Sequence, residues 1–406
     1  MYLGNGPPRR RKGSNPIRVF ILLVLIAIGL YIITVRPADI PQLFQPTPTA
    51  TRTAVSYVTE AEEYIKQGKL DDAVQTYELA IRTDPTIVEN YVPLARLLIF
   101  QGRIDEGLDY AETALFVNPD YAPARAIRAM GLDWKSSQVS DEGLEEEAND
   151  LLVEALGEIN RAIEQDPSLS EAYAFQAEIL FDLGNYEESD AAINNALQVD
   201  PKNLDVQRVA GYLAEFRGYR EEAIQHYTEA LRIQPNLALL HLALGRTYIG
   251  AGEIDLARDS LEKAIALDPA NPEYHYFMGY AYFSIGEREL AADSFQQALE
   301  LRPNYPAAHC QLGLIYYQNR NWEAAVPELE VGVEGYGDLL SYRNAFCYYT
   351  LGLSYYYLDR CEDAYPLFDQ VLEALPENAP AAEGIRLCRE AERAGPPADV
   401  TPTPSP

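Results

Sequence analysis

Counted from one turn proline to the next, this sequence repeats itself every 34 residues. Pro85 and Pro119 stand 34 apart, and Pro167, Pro201, Pro235, Pro269 and Pro303 follow one another at the same interval, most of them directly after an acidic or amide residue that closes a helical stretch. A period of that length is the signature of stacked helix-turn-helix units, so the chain is expected to be an all-α solenoid before any single residue is interpreted.

The period carries more than prolines. Small residues recur where two helices must cross closely: Ala61, Ala95, Ala129, Ala177, Gly211, Gly245, Gly279, Gly313 and Gly352 in first helices, then Ala73, Gly107, Ala155, Ser189, Ala223, Ala257, Ala291, Ala325 and Ala364 at the start of second helices. A third series, Ala80, Ala114, Ala162, Ala196, Ala230, Ala264, Ala298 and Gly332, marks where the second helix meets the next unit, and fails only at Val371. Aromatic knobs lie between them, among them Tyr64, Tyr248, Tyr282, Tyr316 and Tyr355 in first helices and Tyr77, Tyr227, Phe295 and Phe368 in second helices. With a glycine at the turn between helices (Gly68, Gly102, Gly184, Gly218, Gly252, Gly286), the pattern resembles the tetratricopeptide repeat family. That resemblance implies a right-handed α-solenoid of about nine units over residues 54–376. It is specific as to fold and nearly silent as to ligand, because packing residues define the family.

Two places break the beat. Pro119 and Pro167 are 48 apart, and the surplus falls between the helices of the third unit, about residues 134–150, where the run Asp141 to Asp150 suggests an acidic loop. Pro303 and Pro376 are 73 apart, with Gly337 where a proline should stand, so an irregular joint is expected about residues 334–344. Residues 377–394 read as a capping helix that covers the apolar face of the last unit.

The N-terminus is of another kind. Residues 1–18 carry Arg9, Arg10, Arg11, Lys12 and Arg18 without an acid, and residues 19–35 are apolar and uncharged. Seventeen residues at ~1.5 Å each reach ~26 Å, near the lower limit for a membrane span. The basic cluster places residues 1–18 in the cytoplasm and the rest outside it. The apolar run exceeds that of a cleaved signal peptide, and Arg36-Pro37-Ala38-Asp39 makes a poor cleavage site, which favours an anchor. Residues 36–53 and 395–406 are rich in proline and threonine and read as an extended stalk and a disordered tail.

The formal charge is −30 although the first 38 residues contribute +6. So acidic a body repels nucleic acid and anionic headgroups, and no nucleic-acid partner is expected. Nor does the sequence carry a Gly-rich phosphate loop, a G-x-S-x-G elbow, an H-E-x-x-H or a C-x-x-C, so no catalytic residue, metal or cofactor is expected. His241, His275 and His309 are spaced 34 and 34. Successive first helices lie ~8–10 Å apart, too far for these rings to share one ion, and a packing ladder explains them better. Of the cysteines, Cys361 and Cys388 fall at the same end of the stack and form a candidate disulfide that would pin the cap, with free buried thiols as the alternative. Cys310 and Cys347 sit on neighbouring first helices at slightly different heights.

The family resemblance also implies that first helices line a concave groove. Its early positions are mixed and mostly polar: Val58, Glu62, Arg96, Glu171 and Glu178. Later positions are aromatic, and Tyr212, Phe216, Tyr276, Tyr280, Phe283, Tyr317, Phe346, Tyr349 and Tyr356 form the candidate partner-binding surface, suited to a peptide, a partner helix or a sugar chain. The clamp that some family members use for chaperone carboxyl termini is missing, since only isolated basic residues such as Arg96, Arg208 and Arg246 occur at its positions. The expectation is a bacterial, membrane-anchored scaffold or adaptor of this family, single-pass with its solenoid extracytoplasmic. A cell-envelope polysaccharide-binding or export accessory protein, and a regulatory subunit of a membrane enzyme, are the alternatives.

Overall fold

The prolines act on the residue before them. A prolyl ring excludes its predecessor from the α region, and Asp84, Asn118, Asp166, Asp200 and Asp268 accordingly end their helices in extended backbone, with φ near −140° (−146° at Asp84, −138° at Asn118). Each then turns the chain with its own side chain. Asp84 Oδ1 accepts from the Thr86 amide at 3.1 Å, and Asp166, Asp200 and Asp268 accept from Ser168, Lys202 and Ala270 in the same way. The hydroxyls of Thr86 and Ser168, which donate to the same oxygens at 2.6 Å, together with these amides hold the Asp84 and Asp166 carboxyls below the usual range.

A computed structural model describes residues 15–35, 52–141, 143–337 and 339–394. Most of the basic N-terminus, the stalk and the C-terminal tail fall outside them. Two units separate, one ending at Thr53 and one beginning at Ala54. The first contains helix α1 (Pro16–Val35). Its side chains, described without a break from Pro16 to Ile28, are exposed. Among the described residues no helix is long and apolar enough to cross a membrane.

The second unit holds nine helix pairs among the described residues: α2 (Ala54–Lys66) with α3 (Leu70–Thr83), α4 (Tyr91–Phe100) with α5 (Ile104–Val117), α6 (Ala122–Asp141) with α7 (Glu145–Gln165), α8 (Ser170–Asp182) with α9 (Tyr186–Val199), α10 (Leu204–Phe216) with α11 (Arg220–Ile233), α12 (Ala238–Ala251) with α13 (Ile254–Leu267), α14 (Pro272–Ser284) with α15 (Arg288–Leu301), α16 (Pro306–Gln318) with α17 (Trp322–Tyr336), and α18 (Ala345–Tyr357) with α19 (Cys361–Ala374), followed by α20 (Ala379–Ala394). Within each pair the small-residue series meet. Ala95, Ala129 and Ala177 are fully buried, and a Cβ at Gly279 would lie 2.8 Å from the ring of Phe295. Gly252 closes α12 in the left-handed region at φ 79°, and Arg320 and Asp359 adopt the same conformation at φ 57° and 58° where no glycine stands.

The surplus of the third unit is helix rather than the acidic loop expected over 134–150. Helices α6 and α7 have 20 and 21 residues, with Gly143 and Leu144 in the turn between them. Leu132, Ser136 and Val139 on α6 and Ala148, Leu152 and Ala155 on α7 recur at helical spacing and are buried, so each helix gains by continuing along the other. At that turn a Cβ on Gly143 would lie 3.6 Å from Cδ1 of Leu339, within the irregular joint, so the two interruptions of the period touch. The winding closes a second time: Asn236 Nδ2 donates to the Lys66 carbonyl at 2.5 Å, and Leu267 lies against the turn at Gly68.

Cys361 is bonded to Cys388, tying α19 to α20, and Cys310 is bonded to Cys347, with Cα atoms 5.6 and 5.2 Å apart. The second bridge spans the height difference read from the sequence because Gly332 stands where the third small-residue series has alanine. A Cβ there would meet both sulfurs.

Candidate functional site

First helices pack on first helices of following units, which places their free sides on the inner face. The position shared by the three spaced histidines braces the turn in two of them, while His275 bonds through Nδ1 to Gln297 at 3.0 Å. His241 and His309 Nε2 lie 2.9 Å from the carbonyls of Pro235 and Pro303. Tyr91, Arg125 and Gln207 donate to Pro85, Pro119 and Pro201 from the same place. In the last unit, which lacks the proline, Tyr348 donates to Gly337 instead, at 2.7 Å. At His241 a neutral imidazole with its Nε2 proton on the carbonyl fits this role, because burial holds its pKa below the ordinary value, whereas at His309 the bond from Nδ1 to Glu328 at 2.7 Å raises the pKa.

The polar half of the inner face is a charge network. Arg208 reaches Glu178 with both terminal nitrogens at 2.8 and 2.6 Å, the two side chains only 5% and 6% exposed. Arg96 Nε lies 3.3 Å from Asp205 Oδ2 and its Nη2 3.7 Å from Glu171, so α4 reaches across to α8 and α10. Arg246 Nη2 donates to Glu215 at 3.1 Å, an acceptor shared with the Tyr227 hydroxyl at 2.8 Å. The Arg208 guanidinium also lies 5.4 Å from the Trp134 ring centroid. The three arginines read as isolated in the sequence are therefore each paired. The carboxylates that pair them, Glu178, Asp205 and Glu215, sit on neighbouring inner helices.

Beside this network a cavity of about 370 Å³ is lined by Asp133, Trp134, Glu178, Asp182, Arg208, Tyr212, Tyr227, Leu242, Arg246 and Glu273, among others. Asp133 is 2% exposed, and burial followed by the charges of Glu178 and Asp182 pushes its pKa well up. Burial and Glu178 likewise push Asp182 up to about 6, although it accepts the Tyr212 hydroxyl at 2.8 Å. Sequence reasoning missed Asp133 and Asp182. Only Asp182 has a signal, and it is spacing: Asp182 stands 30 residues before Tyr212, as Glu178 stands 30 before Arg208, one repeat less one helical turn.

The nine aromatic candidates fall along the face in groups. Tyr212 and Phe216 pack together with ring centroids 4.7 Å apart and against Phe181. Tyr276 is held among Phe277, Phe295 and Tyr305, the last at 5.3 Å, while Tyr280 and Phe283 flank it on α14. Tyr317, Phe346, Tyr349 and Tyr356 pack partly buried against the C-terminal core, where Tyr317 and Tyr356 lie 6.2 and 5.0 Å from Tyr357, itself stacked on Trp322. Phe216 and Tyr280 keep 47% and 38% of their surface exposed and the other seven are half-buried.

The comparison with known families agrees with this architecture. Tetratricopeptide repeat models match residues 64–131, 170–203 and 209–237, and a TPR repeat model matches residues 245–286 and 279–319. The chain belongs to the tetratricopeptide repeat family. Among solved structures it is similar to yeast Tom70, at 14% identity and TM-score 0.46 over 84% of this chain and 96% of that one. It is also similar to MamA, at 28% identity and TM-score 0.36 over 43% and 93%. YrrB, a TPR protein described as having an unusual peptide-binding site, matches at 21% identity and TM-score 0.37 over 48% and 98%. No curated protein matches the chain.

Proposed function

We propose that this protein is a membrane-anchored scaffold, with residues 1–18 cytoplasmic and the solenoid outside, that binds a partner polypeptide along its inner face. The observation that carries the binding reading is the run of half-buried rings on three successive first helices, α14, α16 and α18. Such rings offer large contact area at little cost in side-chain entropy. Family membership supports a scaffold, since this repeat fold commonly serves protein-protein contact.

Support for the anchor comes from the sequence, in which an apolar run lies between Arg18 and Arg36, and from the exposure of α1 side chains on every side, as in Phe20 at 68% and Leu22 at 61%. Two disulfides suit an oxidising compartment.

The test is affinity capture from a native membrane extract with the full chain in detergent, alongside a Tyr280→Ala, Tyr317→Ala, Tyr349→Ala variant of equal helicity. A partner retained by the parent and lost by the variant is the expected result. Equal recovery by both would sink the inner-face reading.

A further inference from the structure

The cavity between α6, α8, α10, α12 and α14 has a charge balance that selects among ligands. Four carboxyl side chains line it, Asp133, Glu178, Asp182 and Glu273, against two guanidiniums. Neither guanidinium is free. Glu178 holds both terminal nitrogens of Arg208, and Arg246 is taken by Glu215, which is not among the lining residues. Asp182 and Glu273 thus feel Arg208 and Arg246 without a salt bridge to either, inside a partly apolar enclosure where a further opposite charge is attracted far more strongly than in water.

A second observation points the same way. Asp133 is 2% exposed and shares a side-chain hydrogen bond with Asp182, while its Oδ1 has no hydrogen-bond partner. A buried acceptor without a donor is a standing cost that a bound donor removes. The cation this enclosure suits is organic, because among the described residues no group of three or more ligating side chains could hold a metal ion. Its remaining wall, with Trp134, Leu242 and Ala243, is apolar and suits the methylene stem of a side chain whose charged head goes deeper. A compact head with three donors needs no coplanar partner, whereas a planar guanidinium calls for the fork that Glu178 already gives to Arg208.

We propose that this cavity receives the alkylammonium group of a lysine side chain presented by the polypeptide that lies along the inner face. The proposal rests on the peptide-binding reading above and specifies the anchor of that peptide. Removing Asp182 and Glu273 tests it better than removing Glu178, whose loss would strand the buried Arg208 charge and perturb the fold.

Four pools of random octapeptides, with lysine, acetyl-lysine, arginine or glutamine fixed at the centre, are passed over the immobilised full chain and over an Asp182→Asn, Glu273→Gln variant that matches it in helicity and is no less stable. Spermidine is titrated into both proteins by calorimetry. The expected result is retention of the lysine pool by the parent about tenfold above the acetyl-lysine and glutamine pools, a preference lost in the variant. Equal retention of the lysine and glutamine pools would overturn the proposal while leaving the inner face a peptide binder. Persistence of the lysine preference in the variant would also overturn it. Spermidine binding that needs Asp182 and Glu273, with no pool retained, would uphold the ammonium cavity and overturn its peptide source. If neither pools nor spermidine bind, the proposal fails together with the peptide reading.

Discussion

The same substitution should have opposite signs at two helical glycines. In a helix interior glycine is less favourable than alanine by ~1 kcal/mol, so each Gly→Ala change begins with that gain. Gly157, on the exposed side of α7, has nothing within 4 Å of a Cβ, and Gly157→Ala should stabilise by about 1 kcal/mol. At Gly279 the Cβ would sit 2.8 Å from two ring atoms of Phe295 and 3.1 Å from the Ala291 carbonyl oxygen. Phe295 is fully buried and has nowhere to turn. Overpacking of this kind costs ~1–3 kcal/mol, so Gly279→Ala should range from neutral to a loss of ~2 kcal/mol, and Gly279→Leu should lose more. A stacked repeat protein need not unfold in one step. The effect is therefore read locally, as the change in hydrogen-exchange protection of α6 and α7 for Gly157→Ala and of α14 and α15 for Gly279→Ala. If Gly279→Ala raised protection as much as Gly157→Ala, the close crossing of α14 on α15 would be refuted.

Three further outcomes are expected. The Asp182 carboxyl is raised to about 6 in the fold from 3.8, so its ionisation opposes folding; this contribution is absent below about pH 4 and grows as pH rises through 6. Asp182→Asn should consequently stabilise by up to about 3 kcal/mol at pH 7.5 and by little at pH 4, as read from paired urea titrations. The disulfides close segments of 37 and 27 residues, worth about 4 kcal/mol each by loop-closure entropy; reductant should make the α19–α20 turn at 375–378 cleavable by protease, and unchanged resistance would remove the bridge to the cap. Asn236→Ala should lose about 1 kcal/mol and speed hydrogen exchange in α2, an effect absent if the contact with Lys66 is incidental.

Packing was legible in the sequence where geometry allows one solution. Ala61, Ala95, Ala129 and Ala177 recur because two backbones approach at those points, and they are fully buried. The proline beat marks the helix ends because it constrains one neighbouring residue at a time. What period alone hides is contact between units far apart in the chain. Arg96 looks solitary until the winding brings Asp205 within 3.3 Å, and nothing local to Asp133 announces its burial. The surplus of the third unit was opaque for a different reason. Its acidic residues suggest a solvated loop, yet Ser136 and Val139 on one helix and Ala148 and Leu152 on the next keep helical spacing beneath them and decide the outcome. The aromatic positions lie between these cases: their inward placement follows from the repeat, but whether a ring faces solvent depends on neighbours such as Trp322, which stacks on Tyr357.

The contact between Lys66 and Asn236 also bears on the order in which this protein can assemble. An open solenoid gains stability from adjacent units alone, so it can begin to fold anywhere and its first unit is finished as soon as the second exists. Here the first unit acquires its last partners from a segment 170 residues further on. Closing so long a stretch carries a loop-entropy cost and raises the contact order, which slows folding. During synthesis or translocation the leading helices must therefore wait, incompletely covered, until the sixth pair has emerged. Once the gyre shuts, fraying of α2 and α3 is opposed by residues that neighbouring units do not supply, and the N-terminal end ceases to behave as an independent terminus.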